Sequence, residues 1–464
     1  MSTCAFRPVA CAVVLALGGA GVAGCTASAE DVRAPQDQLF FPTGIAATSD
    51  ERSLFVVNAN SELRYDSGSV AVVDVGVVQN VIASWLDHPE QDQTGCSRDP
   101  DHSETLICEE AQFFRKDAAV RVGNFATDLA VQDFSATGGI TRVFVPTRGD
   151  PSITWADFFN GSLHCTVGTD SYSLCDDSHR LTSVQNNPDL TAVPSEPFGV
   201  FADATNGFAM VTHLSTGAVT LIRAPSESSR VTVVDVIGGV FAGDPTTGLR
   251  GASGIAGRQP NAKGDMVYVS SSTERRIQTF TVGELDVGGG VKAASYLLPG
   301  DFFFLDTVGN NSGDSSNSRG IQFSPSGDRL YITNRAPPML QIYDTSLSPS
   351  GVPRNETIGA SDICREASTV AVLDAGDGER AYVTCFQDGQ VYVVDPTGQS
   401  RVEDIITVGR GPYASATITG KNGPGRKLLF VSNFLEDTIA VIDVTPGSAR
   451  RNRVVLRIGT PRAP

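Results

Sequence analysis

The sequence predicts an all-β chain: a seven-bladed β-propeller of four-stranded antiparallel blades over 39–464. Three observations predict it. A three-strand unit at 320–344 recurs along the chain, the spacing inside its copies is nearly constant, and almost no helical periodicity lies between them. In that unit 320–323 is an apolar strand, and Ser324-Pro325-Ser326-Gly327-Asp328 is a turn with proline and glycine where turn chemistry favours them. The second strand is 330–333 and the third 339–343.

Asn334 ends the second strand and Asp344 the third, ten residues later. Thr147/Asp157, His213/Arg223, Ser271/Thr281, Cys385/Asp395 and Asn433/Asp443 repeat that interval of ten, and Asn58/Asp74 stretches it to sixteen with six extra turn residues. Most of these markers follow β-branched or aromatic runs such as Tyr331-Ile332-Thr333 and Phe430-Val431-Ser432. First strands are announced by Pro42-Thr43-Gly44-Ile45, Pro197-Phe198-Gly199-Val200, Ser253-Gly254-Ile255, Arg319-Gly320-Ile321 and, more loosely, Pro412-Tyr413-Ala414-Ser415. Fourth strands are visible at 230–236, 403–408 and 454–458. A single four-stranded sheet cannot cover both its faces; seven of them closed into a ring can.

The copies resemble the YVTN type of β-propeller repeat, best over 320–344 and 412–443, and over 42–74 with its extra turn residues. The resemblance spans about 40–461, and the second copy departs furthest, lacking the glycine and carrying Pro146 in an expected central strand. What the resemblance implies is the fold. Propellers of this kind include lactonases, quinoprotein relatives and plain binding or surface proteins, so it names no activity.

Residues 1–24 read as a targeting segment, with Arg7 as the positive start and a short apolar run over 10–23. Val22-Ala23-Gly24-Cys25 resembles a bacterial lipobox, which implies acylation of Cys25 and a lipoprotein; an ordinary signal peptide is the alternative. Thr26 after the cysteine implies, by the same resemblance, the outer membrane, facing periplasm or cell surface. The polar, aperiodic 25–38 reads as a tether.

Without residues 1–24 the chain keeps 34 basic against 52 acidic residues, a net −18. Such a surface repels nucleic acid and anionic headgroups, so only the lipid is expected to touch the membrane. Of nine cysteines, Cys4 and Cys11 leave with the leader and Cys25 takes the lipid. The other six fall into neighbouring pairs, Cys96 with Cys108, Cys165 with Cys175 and Cys364 with Cys385, which favours three local disulfides in an oxidising compartment; other pairings stay open. No metal is expected, because Cys-x-x-Cys is absent and the histidines lack zinc-ligand spacing.

Two insertions interrupt the repeats. In 76–117 the residues Val77, Val78, Val81, Ile82, Trp85 and Leu86 have helical spacing, and 161–195 carries Cys165 and Cys175. The stretch 298–318, with Phe302-Phe303-Phe304 and a Ser/Asn-rich run, reads as a loop before the fifth unit.

By fold analogy a ligand site belongs at the axial mouth. The residues expected there are Thr43, Thr127, Phe198, Ser253, Arg319, Ser368 and Tyr413, and from the second-strand ends Asn58, Thr147, His213, Ser271, Asn334, Cys385 and Asn433. Asn and Thr at these positions, and the recurrent Asp74, Asp157, Asp344, Asp395 and Asp443, fit turn capping. His213, Arg319 and Tyr413 break the pattern, and together they could bind an anion or polarise a carbonyl. Asp374-Ala375-Gly376-Asp377-Gly378-Glu379 reads as a turn without EF-hand spacing. Nucleophile-elbow, P-loop, His-Glu-x-x-His and haem-attachment motifs are all missing, and no cofactor is expected. The expectation is a non-catalytic, lipid-anchored envelope propeller that presents one face to a protein or a small ligand. The alternative is a lactonase-like hydrolase at the mouth. A quinoprotein-like redox subunit is disfavoured, with five histidines and no cofactor motif.

Overall fold

Runs such as Leu54-Phe55-Val56-Val57 and Leu429-Phe430-Val431 are β-branched or aromatic and buried on both faces. Such residues form central strands covered on either side. The computed structural model describes residues 32–91, 93–135, 139–166, 172–182, 193–226, 231–258, 266–306 and 317–462, and arranges them as seven antiparallel sheets in a ring. This is the predicted seven-bladed β-propeller. The leader, Cys25 and the first half of the expected tether lie outside the described residues.

Blade 1 runs outward through Pro42–Ala47, Ser53–Asn58, Gly68–Asp74 and Val120–Val122. Blades 3 to 7 begin at Pro197–Asp203, Ala252–Gly257, Ser318–Phe323, Ala367–Asp374 and Pro412–Ile418. The three fourth strands read from the sequence are Thr232–Ile237, Arg401–Thr407 and Arg453–Ile458. Neighbouring sheets pack face to face through rings such as Phe55 of blade 1 and Phe158 of blade 2, edge to face at 5.0 Å.

In blades 3 to 7 the first strand carries a bulge, with two residues opposite one. The register jumps between Pro197 and Val200, Ala252 and Ile255, Ser318 and Ile321, Ala367 and Val370, and Pro412 and Ser415. The N–H this frees is taken by a hydroxyl on the second strand. Gly199 donates to Thr212, Gly254 to Ser270, Gly320 to Thr333, Thr369 to Thr384 and Ala414 to Ser432, at 2.9–3.1 Å. The glycines answer to the neighbouring blade: a Cβ on Gly254 would lie 2.2 Å from the Arg319 carbonyl oxygen, and one on Gly320 2.8 Å from Thr369 Cα.

Blade 2 departs as its sequence foretold. Its first strand is only Ala130–Asp133, paired to Thr141–Thr147 as far as Phe144. Pro146 has no N–H to extend the ladder, so 127–129 stay unpaired apart from contacts to the Pro146 carbonyl.

One expectation fails at 298–318. Lys292–Phe304 is the fourth strand of blade 4, in a long hairpin with Arg276–Asp286, and Phe303 packs on Tyr268 and Tyr343. Alternation across this strand outweighs the loop-like composition beyond it; 307–316 lie outside the described residues.

The ring closes in an unexpected way. The insertion of blade 1 forms the helix Val75–Asp87, capped by the Asp74 carboxylate on the N–H groups of Gly76 and Val77. It then crosses to blade 7, where Leu106–Cys108 pairs in parallel with Arg453–Ile458 and Cys96–Arg98 adds a sixth strand. The Thr105 hydroxyl donates to the Val454 carbonyl at 2.7 Å, and Cys96–Cys108 locks this clasp. Ala34, within the stretch read as a tether, is buried with its N–H on the Asp66 carboxylate, and at the start of the propeller the N–H of Phe41 donates to Asp437 at 2.7 Å.

Candidate functional site

The bulges decide what reaches the axis. They, the register shift between Pro42 and Gly44 in blade 1 and the gap between Ala126 and Ala130 in blade 2 leave the residue before the glycine position at the mouth, so Thr43, Thr127, Phe198, Ser253, Arg319, Ser368 and Tyr413 line one cavity of about 230 Å³, as expected. That is below the ~300–1,000 Å³ of drug-sized pockets, and it suits a small compact ligand.

The second-strand markers are elsewhere. Asn58, Thr147, His213, Ser271, Asn334, Cys385 and Asn433 are fully buried, and none lines the cavity. The last residue of each second strand points between blades, where its side chain satisfies turn and strand groups. Asn433, for instance, donates to the Val408 carbonyl at 2.9 Å and to Thr438 at 3.0 Å. His213 shares a 2.8 Å hydrogen bond with the Thr220 hydroxyl and lies 3.3 Å from the Ser195 carbonyl. Burial lowers its pKa to about 4, so it is a neutral structural imidazole at physiological pH. The expected grouping of His213 with Arg319 and Tyr413 is therefore corrected: the structure brings together the latter two only.

Arg319 is clamped. Its guanidinium carbon lies 4.5 Å from the Tyr413 ring centre and 5.1 Å from that of Phe198, and Nη2 donates to the Tyr413 hydroxyl. Among the described residues no carboxylate is within ion-pair distance of it. Arg335 stands nearby, paired to Glu366 at 2.7 Å, and burial together with the Arg319 charge lowers its pKa to about 10.

Asp128 is the residue sequence reading missed. It lines the same cavity where most blades have glycine, alanine or threonine. The interrupted ladder of blade 2 leaves it free to accept from Val200 N–H at 3.0 Å and Leu129 N–H at 2.8 Å. Burial raises its pKa to about 6, against the pull of those two bonds and of Arg319. The signal was present: Thr127-Asp128-Leu129 aligns with Arg319-Gly320-Ile321. Two hydroxyls complete the lining. Those of Ser368 and Ser415 are buried and have no hydrogen-bond partner among the described residues.

The arrangement gathers a positive planar group, a carboxyl and two unsatisfied hydroxyls around one cavity. It can bind an anion, or orient a carbonyl against Arg319. A second cavity of about 490 Å³, lined by Phe201, Phe323 and Val372 among others, opens at the far end of the axis.

Of the recurrent aspartates, Asp344, Asp395 and Asp443 accept turn amides as expected, Asp74 caps the helix Val75–Asp87, and Asp157 departs, pairing with Arg142 at 2.8 Å. Asp374 accepts from Gly376 and Gly378, as a turn does. All six remaining cysteines pair as expected, Cys96–Cys108, Cys165–Cys175 and Cys364–Cys385, which fits an oxidising compartment. Among the described residues no helix is long and apolar enough to cross a membrane.

The fold defines the class: this is a seven-bladed β-propeller with an axial cavity. No family model matches the chain, and no curated protein does. Solved structures share its architecture. The β-propeller domain of Cps50 (Swd1) from Myceliophteria thermophila matches with a TM-score of 0.50 at 10% identity, over 88% of this chain and 98% of that one. The periplasmic gluconolactonase PpgL of Pseudomonas aeruginosa matches at 0.49 and 15%, over 80% and 87%. A candidate 6-phosphogluconolactonase of Bacteroides uniformis matches at 0.47 and 13%, over 78% and 86%. At these identities the likeness concerns the fold alone.

Proposed function

We propose that this chain is a lipid-anchored β-propeller of the bacterial outer membrane that binds, without transforming, a small anionic ligand at its axial mouth. Cys25 carries the lipid in this reading. The observation behind it is Arg319, a guanidinium held between Phe198 and Tyr413 at the opening of a cavity, with no counter-charge at ion-pair distance among the described residues. A bound carboxylate or phosphate supplies that charge, and the Ser368 and Ser415 hydroxyls supply further bonds. The test is calorimetry with a panel of small carboxylates and inorganic phosphate against the wild type and Arg319→Met. Binding by the wild type with at least tenfold loss in the variant is expected. Equal affinity in both sinks the reading.

A lactone hydrolase is the second reading, and Asp128 favours it. A carboxyl mostly ionised at neutral pH yet more basic than an ordinary aspartate can take a proton from water as the water oxygen bonds to a lactone carbonyl held by Arg319. It then returns the proton to the ring oxygen as the C–O bond breaks. Turnover of glucono-1,5-lactone that disappears in Asp128→Asn supports this reading; no turnover above the spontaneous rate leaves the binding reading standing.

A further inference from the structure

We infer that the ligand of the axial mouth is a zwitterion, a small α-amino acid whose carboxylate takes Arg319 and whose ammonium takes Asp128. This deepens the reading of the mouth as an anion site and rests on it. Arg319 starts from blade 5 and lies against rings of blades 3 and 7, two blades away on either side, so its guanidinium sits over the axis. Asp128 stands in the wall of the same cavity, just before the first strand of blade 2. Among the described residues these two are the only charged side chains in the lining, one of each sign.

The two charges do not pair with each other. Arg319 is nonetheless near enough to pull the Asp128 pKa down against the effect of burial. A ligand that carries an ammonium and a carboxylate on one carbon can bridge such a gap. The Asp128 carboxylate is held in place but not saturated. One oxygen accepts from Leu129 N–H at 2.8 Å and the other from Val200 N–H at 3.0 Å, which fixes the carboxyl and leaves each oxygen a further lone pair. An ammonium brings three donors to those lone pairs.

A simple anion suits the cavity less well. Arg319 would meet its charge, but a second negative charge would then share about 230 Å³ with Asp128, where little water is left to screen the two. A simple cation meets the converse problem at Arg319. A ligand of no net charge with both groups satisfies both walls and keeps the cavity balanced. The cavity falls below the ~300 Å³ of drug-sized pockets, so only a short side chain fits. The unpartnered Ser368 and Ser415 hydroxyls are available to the rest of the ligand.

Calorimetry on the full chain at about pH 7.5 compares two isosteric pairs, glycine with propionate and L-alanine with isobutyrate, in which a methyl group replaces the ammonium. The wild type should bind each amino acid at least tenfold more tightly than its isostere. In Asp128→Asn that advantage should fall to within about twofold, and in Arg319→Met both members of each pair should be lost. A second measurement needs no variant. Repeating the wild-type titrations in buffers of different ionisation heat gives the protons bound; propionate should bind with partial proton uptake by Asp128, and glycine with none. Equal affinity for glycine and propionate, an advantage that survives Asp128→Asn, or equal proton uptake overturns the inference alone and leaves a plain anion site. Binding of none of the four compounds overturns the anion-site reading, and the inference with it.

Discussion

Asp128→Asn separates the electrostatics of the mouth from its packing. In the folded chain the Asp128 carboxyl titrates near 6 against an ordinary 3.8. Its folded value is the higher one, so its contribution is most favourable below the unfolded pKa and is lost as pH rises through about 6. The gap of about 2 units corresponds to roughly 3 kcal/mol at ~1.36 kcal/mol per unit. Protein surrounds the carboxyl at depth, yet part of its surface opens on the channel, where solvent screens it; half that figure, about 1–2 kcal/mol, is the better expectation. Asparagine keeps one acceptor for the N–H groups of Val200 and Leu129 and carries no charge. The measurement is unfolding of wild type and variant at pH 4.5 and pH 8. The variant's Tm relative to wild type should be about 1–2 °C higher at pH 8 than at pH 4.5, given the unfolding entropy of a chain this long. Any pH-independent cost of the lost acceptor cancels in that comparison. A Tm difference that is the same at both pH values refutes the assignment of a raised pKa to Asp128.

Three other outcomes follow from groups outside the cavity. His213→Ala leaves the Thr220 hydroxyl and the Ser195 carbonyl without their partner and should cost roughly 2–4 kcal/mol in denaturant titration, with ligand affinity at Arg319 unchanged. Glu110, raised to about 7 by burial and by the carboxylates of Asp437 and Asp37, accepts from Leu39 N–H at the seam; Glu110→Gln should raise Tm at pH 8.5 and leave it nearly unmoved at pH 4.5. Replacing Cys96 and Cys108 together by serine opens a loop of 12 residues' separation, an expected loss of about 3 kcal/mol on the chain-entropy account, read by thermal unfolding without reductant.

The ring was legible because its determinants are local. The Gly-Ile pairs, the Pro/Gly/Asp turns and the ten-residue interval between Asn334 and Asp344 each describe a strand or a turn, and repetition multiplied the signal. The cavity was half legible. Arg319 and Tyr413 stood out as departures from their siblings, and they do meet at the mouth. His213 stood out too, yet the end of a second strand points between blades, a direction that marker spacing does not encode. Asp128 was passed over one position beyond Thr127: its column is glycine, alanine or threonine in the sibling blades, so nothing marked that position as a place for a functional side chain. The clasp was out of reach, because Thr105 and Val454 lie 349 residues apart and nothing in 96–108 states its partner.

That separation bears on how the protein is made. Synthesis delivers 96–108 early and 453–458 almost last, so Leu106, 3% exposed at the end, waits through the making of six further blades with its edge unpaired. A product that stops a dozen residues short would lack the rim of the seventh sheet and leave the early hairpin with nothing to hold. Proteases that cut loose strands would then find two ragged sites in place of one, and a truncated copy would betray itself at both ends.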